Sequence, residues 1–177
     1  MNSMDFKGIS YLKYGNDKQI KSYNILTKIN IFNILKDYMP ILVGTIPLGI
    51  DIENSDLDIV CQVYDFEKFK QILFDNFNKY KNFRIVNKEN NIMICNFIVD
   101  DMEIEIYASS QKSHKANGYR HMIVEYKLLN LYGEDLKKEV IRLKKEGLKT
   151  EPAFAKILNL NGNPYEELLL YEDKLDN

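Results

Sequence analysis

The first clear pattern along the chain is helical. Between residues 23 and 38 the apolar side chains recur at helical spacing, which places them on one face of an amphipathic helix. Pro40 follows this stretch, and the residue before a proline disfavours the helical conformation. The pattern therefore predicts one helix over 23–38. Its stripe consists of Ile25, Leu26, Ile29, Phe32, Leu35 and Met39.

Apolar runs with the character of strands come next. The run 92–99 is apolar at nearly every position, which indicates a central strand covered on both faces. Asn90-Asn91 before it and Asp100-Asp101 after it are typical turn sequences. The predicted strands are 41–45, 56–63, 83–87, 92–99 and 102–107, and a helix capped by Asp65 presents Phe66, Phe69, Leu73 and Phe77.

From about residue 117 the pattern is helical again. Gly147 closes a long helical stretch, and Thr150-Glu151-Pro152 and Asn163-Pro164 each open a shorter helix. The elements together predict a single α/β (α+β) domain over 1–177. It has a mixed β-sheet with flanking helices in a core over 23–107, and a helical C-terminal region over 117–177.

Composition narrows the class of protein. The chain has 177 residues, 45% of them hydrophobic and 28% charged, which is typical of one globular domain. Its formal net charge is -2, whereas proteins that bind long nucleic acids usually carry a basic excess, so we expect no nucleic-acid partner. No signal peptide or membrane-spanning run is evident, so we expect a cytoplasmic protein with no membrane partner. Cys61 and Cys95 lie in apolar runs and are expected to be free, buried thiols.

The stretch between Gly44 and Asp58 carries the strongest candidate chemistry. Gly44-Thr45 ends one predicted strand, and Asp56-Leu57-Asp58 begins the next. Side chains alternate along a strand, so the two aspartates share one face while Leu57 points to the core. Parallel carboxylates suit Mg²⁺, and a Gly-Thr turn can hold a phosphate. An Asp-x-Asp pair alone is more typical of a strand edge that faces water, so the neighbouring residues decide.

Two further carboxylates favour a metal site. Glu103 and Glu105 share one face of the run 102–107, which can lie beside the run 56–63. Glu105 is in the middle of its strand and Glu103 is nearer the start, so either is a candidate for a third ligand. Converging carboxylates raise one another's pKa unless a cation neutralises them. Two Mg²⁺ ions in such a site would align the oxygens of a phosphoryl transfer.

These residues resemble the sequence pattern of the polymerase-beta-like nucleotidyltransferase superfamily. That pattern is a Gly-Ser pair, then Asp-x-Asp, then a single carboxylate on a later strand. More narrowly, several segments are similar to a bacterial family of unknown function assigned to that superfamily. These segments are 44–51, 119–122, 147–155 and 162–165.

The resemblance implies roles residue by residue. Asp56 and Asp58 match the metal-binding aspartates, and Glu105 matches the third carboxylate, which would bind one ion and act as a base. Gly44 and Thr45 match the pair that holds the terminal phosphates of an NTP. Two positions depart from the pattern, because Thr45 stands where serine is usual and Glu105 where aspartate is commoner. The second change lengthens the reach of the carboxylate and puts full activity in question.

Other polar residues are weaker candidates. Arg120 can clamp a triphosphate bidentately and His121 can touch a substrate. An exposed first helical turn explains Arg120 equally well and His121 better. Lys149 is a further phosphate candidate, and His114 lies in the polar segment 109–117, which can form a loop over the site.

The function that these observations favour is transfer of a nucleoside monophosphate from an NTP to a hydroxyl group of a small molecule or protein. Two alternatives stay open. One is a catalytically inactive module of the same fold that binds a nucleotide or a partner. The other is an enzyme that modifies a polynucleotide, which a basic stripe with aromatic residues beside the site would favour.

Overall fold

The computed structural model describes residues 5–174, with side chains up to residue 172. Its strands are β1 (Ile41–Val43), β2 (Leu57–Gln62), β3 (Lys81–Lys88), β4 (Ile92–Val99) and β5 (Met102–Ser109). They form one mixed sheet in the spatial order β1-β2-β5-β4-β3. β2 and β5 are parallel, and all other neighbours are antiparallel. The mixed sheet predicted from the sequence is confirmed.

Helices flank the sheet and make up the C-terminal third. They are α1 (Asp17–Lys28), α2 (Ile31–Ile34), α3 (Phe66–Phe77), α4 (Asn117–Lys145), α5 (Thr150–Ile157), α6 (Pro164–Leu169) and α7 (Tyr171–Lys174). Short 3-10 turns cover Ser10–Tyr14, Lys36–Tyr38 and Ser113–Lys115. The cap predicted at Asp65 is present, because its side chain accepts from Lys68 N in α3. The side chain of Asn163 likewise accepts from Tyr165 N at the start of α6.

The single helix predicted over 23–38 is wrong in its bounds. α1 begins earlier, at Asp17, where the side chain of Asn16 caps it in a capping box. The helix then breaks at Asn30, whose φ of 55° is left-handed. Asparagine tolerates this conformation better than most residues, and the apolar stripe continues past the break into α2.

The two hairpin turns are confirmed, but the strand between them is not the middle one. Asn90, Asn91, Asp100 and Asp101 all have positive φ angles, between 47° and 63°. β4 lies between β5 and β3, and β5 takes the central position. Alternate side chains of β4 belong to the main core, whereas Ile92, Ile94 and Ile98 on the other face are only half-buried.

The two faces of the sheet have different roles. One face packs against α1, α2 and α3 and contains the main apolar core. Leu57, Ile59, Ile104 and Ile106 belong to this core and have no exposed surface. The alternate positions of β2 and β5, which include Asp58 and Glu105, therefore face the opposite side.

A second apolar cluster joins the C-terminal helices. α4 is interrupted at Gly133, whose φ of 69° and ψ of -153° are not helical. Val124 and Leu128 before this break and Val140 after it pack with Phe154 of α5 and Leu168 of α6. Within residues 5–174, no helix combines the length and apolar character that crossing a membrane requires. Cys61 and Cys95 are free and buried, as predicted.

Candidate nucleotide and metal site

A cleft of about 620 Å³ lies between the second face of the sheet and the C-terminal helices. The sheet and the β1–β2 loop form one wall, and α4 with the start of α5 forms the other. Asp56, Asp58 and Glu105 all line this cleft, and so do Gly44 and Thr45. The structure thus brings together five of the residues that the sequence singled out.

Asp58 and Glu105 are direct partners across the parallel pair of β2 and β5. Neighbouring strands are about 4.8 Å apart, so the two side chains leave the same face side by side. Asp56 lies just before β2 and is exposed at the mouth of the cleft. Glu103 is exposed and is not among the described residues that line the cleft. Of the two glutamates, Glu105 is therefore the one beside the aspartates.

The carboxyl group of Asp58 is in an unfavourable environment for a charge. Burial raises its pKa to about 7, and the charges of Asp56 and Glu105 act in the same direction. Lys149 opposes this rise from across the cleft, while Glu151 adds to it. A cation bound beside Asp58 would relieve the repulsion.

Asn96 is a site residue that sequence reasoning missed. It is buried in β4, and its Nδ2 donates to Oε2 of Glu105 at 3.1 Å and more weakly to Oε1 of Glu103 at 3.4 Å. Its Oδ1 accepts from Nε of Arg84 on β3 at 3.4 Å. A buried amide needs hydrogen-bond partners. The presence of an asparagine within the otherwise apolar run 92–99 could therefore have indicated a polar contact at this position.

Gly44 is required where it stands. Its φ is +82°, and a Cβ built there would lie 2.7 Å from Oδ2 of Asp58. Beside it, the Thr45 hydroxyl donates to Oγ of Ser55 at 3.3 Å, and Ser55 also accepts from the backbone N of Ile52 at 2.9 Å. These hydrogen bonds therefore connect the two ends of the β1–β2 loop.

Arg120 is not placed as the sequence suggested. Its guanidinium donates twice to Oε2 of Glu172, from Nε at 2.9 Å and from Nη2 at 2.6 Å. It does not line the cleft, whereas the next residues on α4, His121 and Met122, do. Adjacent helix positions point about 100° apart, which accounts for the difference. His114 is exposed and also lies outside the cleft lining, while Lys149 is at the cleft and exposed.

His121 is buried rather than exposed. Its Nε2 donates to the backbone O of Tyr165 at 2.8 Å, and its Nδ1 lies 3.6 Å from Oε1 of Glu151. It therefore links α4 to the start of α5 and to α6. These contacts position the helical wall of the cleft.

Two more charged residues of this wall were missed in the sequence. Lys144 is buried, and its Nζ donates to the backbone O of Ile50 at 2.8 Å. Burial lowers its pKa to about 8, although the charges of Glu125 and nearby carboxylates raise it again in part. Glu125 is buried and lies three positions after the buried Met122, so both are on the same side of α4. This spacing could have indicated in the sequence that Glu125 is buried.

The donor chemistry of the sheet wall fits Mg²⁺, because Asp56, Asp58 and Glu105 supply hard carboxylate oxygens on one face. Among the described residues, however, no three Asp, Glu, His or Cys side chains are already close enough to hold a metal ion. The carboxylates would have to turn toward an ion, which rotation about their side-chain bonds permits.

Residues 24–171 match the model of a family described as "Domain of unknown function (DUF4269)". The chain belongs to this family. The match spans the sheet, the cleft and the helical wall, so the site lies within the family's own domain. No curated protein matches the sequence.

Solved structures show the same fold at low identity. One structure of Cid1, described by its RNA terminal uridylyl transferase activity, has a TM-score of 0.57 at 14% identity and covers 77% of this chain and 47% of its own. Another, Cid1 poly(U) polymerase with Mg 3′-dATP, has a TM-score of 0.59 at 14% identity over 90% of this chain and 52% of its own. The GLD-2/RNP-8 complex gives a TM-score of 0.58 at 12% identity, with 96% and 72% covered.

The nucleotidyltransferase-like fold predicted from the sequence is confirmed by these likenesses. The chain spans about half the length of the Cid1 chains that it matches. We expected no nucleic-acid partner from the sequence. The similar structures do not support this expectation, because Cid1 is named for activity on RNA.

Proposed function

We propose that this protein is a Mg²⁺-dependent nucleotidyltransferase that moves a nucleoside monophosphate from an NTP to a hydroxyl group of a small molecule or protein. One observation carries the proposal. Asp58 and Glu105 are paired on adjacent parallel strands of a nucleotidyltransferase-like fold, and with Asp56 they line a single cleft. Burial, together with the charges of Asp56 and Glu105, raises the pKa of Asp58, and a bound cation would favour its ionised form.

Asp56, Asp58 and Glu105 are the residues that would hold Mg²⁺. When bound, the metal supplies charge neutralisation for the phosphates and aligns the attacking and leaving oxygens. Glu105, oriented by Asn96, accepts the proton of the acceptor hydroxyl at its carboxylate. The acceptor oxygen then forms a bond to the α-phosphorus, the bond to the bridging oxygen breaks, and pyrophosphate leaves.

In this proposal the phosphates bind to the turn at Gly44 and Thr45 and to the side chain of Lys149. Gly44 allows close approach of the backbone beside Asp58, and Lys149 presents an exposed ammonium from the opposite wall. Phosphate groups between these walls would separate Lys149 from the carboxylates. Catalysis of this type is largely positioning and charge neutralisation, so few other groups are needed.

The test is nucleotide binding by a double variant. Asp56→Asn with Asp58→Asn is expected to abolish Mg²⁺-dependent NTP binding in calorimetry and to leave the fold intact by circular dichroism. Asp101→Asn, in an exposed turn whose φ of 63° suits asparagine, is the matched control and is expected to bind as the unmodified protein does. If the double variant binds Mg·NTP as tightly as the control, the assignment is refuted.

A second candidate is a nucleotide- or partner-binding module that retains the fold without the chemistry. The observation that favours it is the lack of three side chains already spaced for a metal ion within residues 5–172. Such a module would bind an NTP equally well with and without Mg²⁺, and it would release no pyrophosphate with any nucleotide. The double variant would then retain binding.

RNA is a further candidate class of acceptor, because a structure of similar fold is named for activity on RNA. The net charge of -2 and the carboxylates along the cleft favour a small or protein acceptor instead. The two classes differ in how binding depends on salt, which a direct titration measures.

A further inference from the structure

The helical wall of the cleft contains a buried carboxyl group without a partner. Glu125 projects from α4, lines the cleft and is only 3% exposed. Among the described residues its carboxyl group makes no hydrogen bond or ion pair. The fully enclosed side-chain atoms without a hydrogen-bond partner in the described part of the chain are the hydroxyl groups of Tyr11 and Ser113, and the oxygens of Glu125 are not among them. The carboxyl group of Glu125 therefore opens to the cleft, where a ligand can reach it.

The nearby charged groups, Lys144 and Glu151, do not pair with Glu125. Lys144 donates to the backbone O of Ile50 at 2.8 Å, which fixes its ammonium toward the β1–β2 loop. Glu151 lies beside His121 at 3.6 Å and repels Glu125 rather than pairing with it. Burial, with a smaller contribution from Glu151, raises the pKa of Glu125 well above its usual range, and Lys144 opposes this only in part.

We propose that Glu125 is the binding group for an amino group of the ligand that occupies the cleft. The missing partner of a buried carboxyl group is a hydrogen-bond donor, and a cationic donor would compensate its charge as well. An amino or ammonium group supplies both. The proposal rests on the proposed function only in that the cleft is where nucleotide and acceptor bind.

Two sources can supply this amino group. One is the exocyclic amine of a nucleobase, present in cytosine and adenine and replaced by a carbonyl oxygen in uracil and hypoxanthine. The other is an amine of the acceptor. In either case Glu125 discriminates between ligands. An amino donor stabilises the ionised carboxylate, whereas a carbonyl oxygen is repelled by the carboxylate and can be accepted only by the protonated acid.

The first arm of the experiment measures Mg·NTP affinity for the pairs CTP and UTP, and ATP and ITP. Each pair differs in one amino group. If the amino group is on the nucleobase, the unmodified protein is expected to favour CTP and ATP by about tenfold, and Glu125→Met is expected to abolish the preference.

The second arm measures binding of glucosamine and glucose by NMR, without nucleotide or metal. These sugars also differ in one amino group. If the amine belongs to the acceptor, the unmodified protein is expected to bind glucosamine several-fold more tightly than glucose. Glu125→Gln, which removes the charge, and Glu125→Met, which removes the hydrogen bond as well, are expected to reduce the difference in that order.

Thermal unfolding separates a ligand-binding role from a structural one. Because both substitutions remove an unpaired buried carboxyl group, both are expected to leave the melting temperature unchanged or raise it while they weaken binding. Glu134→Gln, at an exposed position of α4 outside the cleft, is the control and should change neither property. Substitutions that lower the melting temperature and leave both ligand preferences unchanged would overturn the proposal, and so would an unmodified protein with no preference in either arm.

This outcome is distinct from failure of the proposed function. If Asp56→Asn with Asp58→Asn leaves Mg·NTP binding unchanged, the nucleotidyltransferase proposal fails. The effect of Glu125 substitutions on glucosamine binding is measured in metal-free buffer, so its result does not depend on whether the protein binds Mg·NTP.

Discussion

The α-carbon of Gly44 lies against the carboxylate of Asp58, so closely that a methyl group there would be 2.7 Å from Oδ2. Val43, the residue before it, is the Cα partner of Asp58 in the antiparallel pair of β1 and β2. Two features therefore require glycine at this position. The φ of +82° is strained for other residues, and the carboxylate of Asp58 occupies the space that a Cβ would need.

We predict that Gly44→Ala reduces Mg·NTP affinity by at least about tenfold and destabilises the fold by about 1–2 kcal/mol. The loss of affinity follows from displacement of Asp58, and the loss of stability from strain at a positive φ. Gly133→Ala is the matched control, because Gly133 has a φ of +69° but no atom within 4 Å of the added Cβ. Calorimetry and urea unfolding should show loss of stability in both variants and loss of affinity in the first alone.

The pH dependence of stability should reveal the raised pKa of Asp58, which is about 7. A carboxyl group with a raised pKa in the folded state contributes most stability below about pH 4, its unfolded pKa, and that contribution is lost as pH rises. In metal-free buffer, Asp58→Asn should therefore equal the unmodified protein near pH 4 and exceed it above about pH 7, by up to about 4 kcal/mol.

The measurement is a series of thermal unfolding curves across this range, with and without Mg²⁺. Added Mg²⁺ should stabilise the unmodified protein at neutral pH and leave Asp58→Asn unaffected. Two stability curves that run parallel from acid to neutral pH would show that Asp58 titrates normally.

Asn96 is predicted to act through Glu105. Asn96→Ala removes the donor that lies 3.1 Å from Oε2 of Glu105, so that carboxylate should lose its orientation. We expect a stability loss of about 1–3 kcal/mol, since Asn96 is buried and its partners lose a hydrogen bond. The rate of pyrophosphate release should fall by about tenfold or more, with little change in the affinity for Mg·NTP. Asn87→Ala, at an exposed position of β3, should change none of these values.

Arg120 should contribute to stability and not to nucleotide affinity. Its ion pair with Glu172 is about one-third exposed on each side, so Arg120→Ala is expected to cost about 0.5–1 kcal/mol. Glu172→Gln weakens the same pair from the other end and should have a similar effect on unfolding. A fall in Mg·NTP affinity with Arg120→Ala alone would instead support the bidentate triphosphate contact that the sequence suggested.

Polynucleotide binding should be weak at physiological salt. The net charge is -2, and the exposed cation among the cleft residues is Lys149. A protein that neutralises several phosphates loses affinity steeply as salt rises. Fluorescence titrations with single-stranded and tRNA-like oligonucleotides should show no such steep dependence, while Mg·NTP binding persists. Sub-micromolar affinity with a steep salt slope would establish RNA or DNA as the substrate class.

Much of the fold and of the carboxylate site was predictable because strand periodicity places alternate residues on opposite faces. The alternation of 102–107 separated Glu105 from the buried Ile104 and Ile106, and the structure agrees. The break in the helix at Asn30 could not be predicted, because the apolar stripe continues on both sides of it. A change in the backbone angle of one residue does not alter the spacing of apolar side chains enough to be recognised in the sequence.

The missed site residues share a physical cause. Asn96 and Glu125 are single polar residues within apolar patterns, and periodicity reports the average of a pattern rather than its exceptions. Arg120 was misplaced for a related reason. Whether it or His121 faces the cleft depends on how α4 is rotated against the sheet, which long-range packing determines.

The parallel pairing of β2 with β5 also bears on how the protein folds. α3 and the β3–β4 hairpin intervene in the chain between the two strands, so their pairing closes a long loop, whereas the two later hairpins form from neighbouring segments. We expect the hairpins to form early and β2 to dock onto β5 late. Asp58 and Glu105 would meet only in that final step, so a partly folded chain would have no assembled ligand set with which to sequester metal or nucleotide.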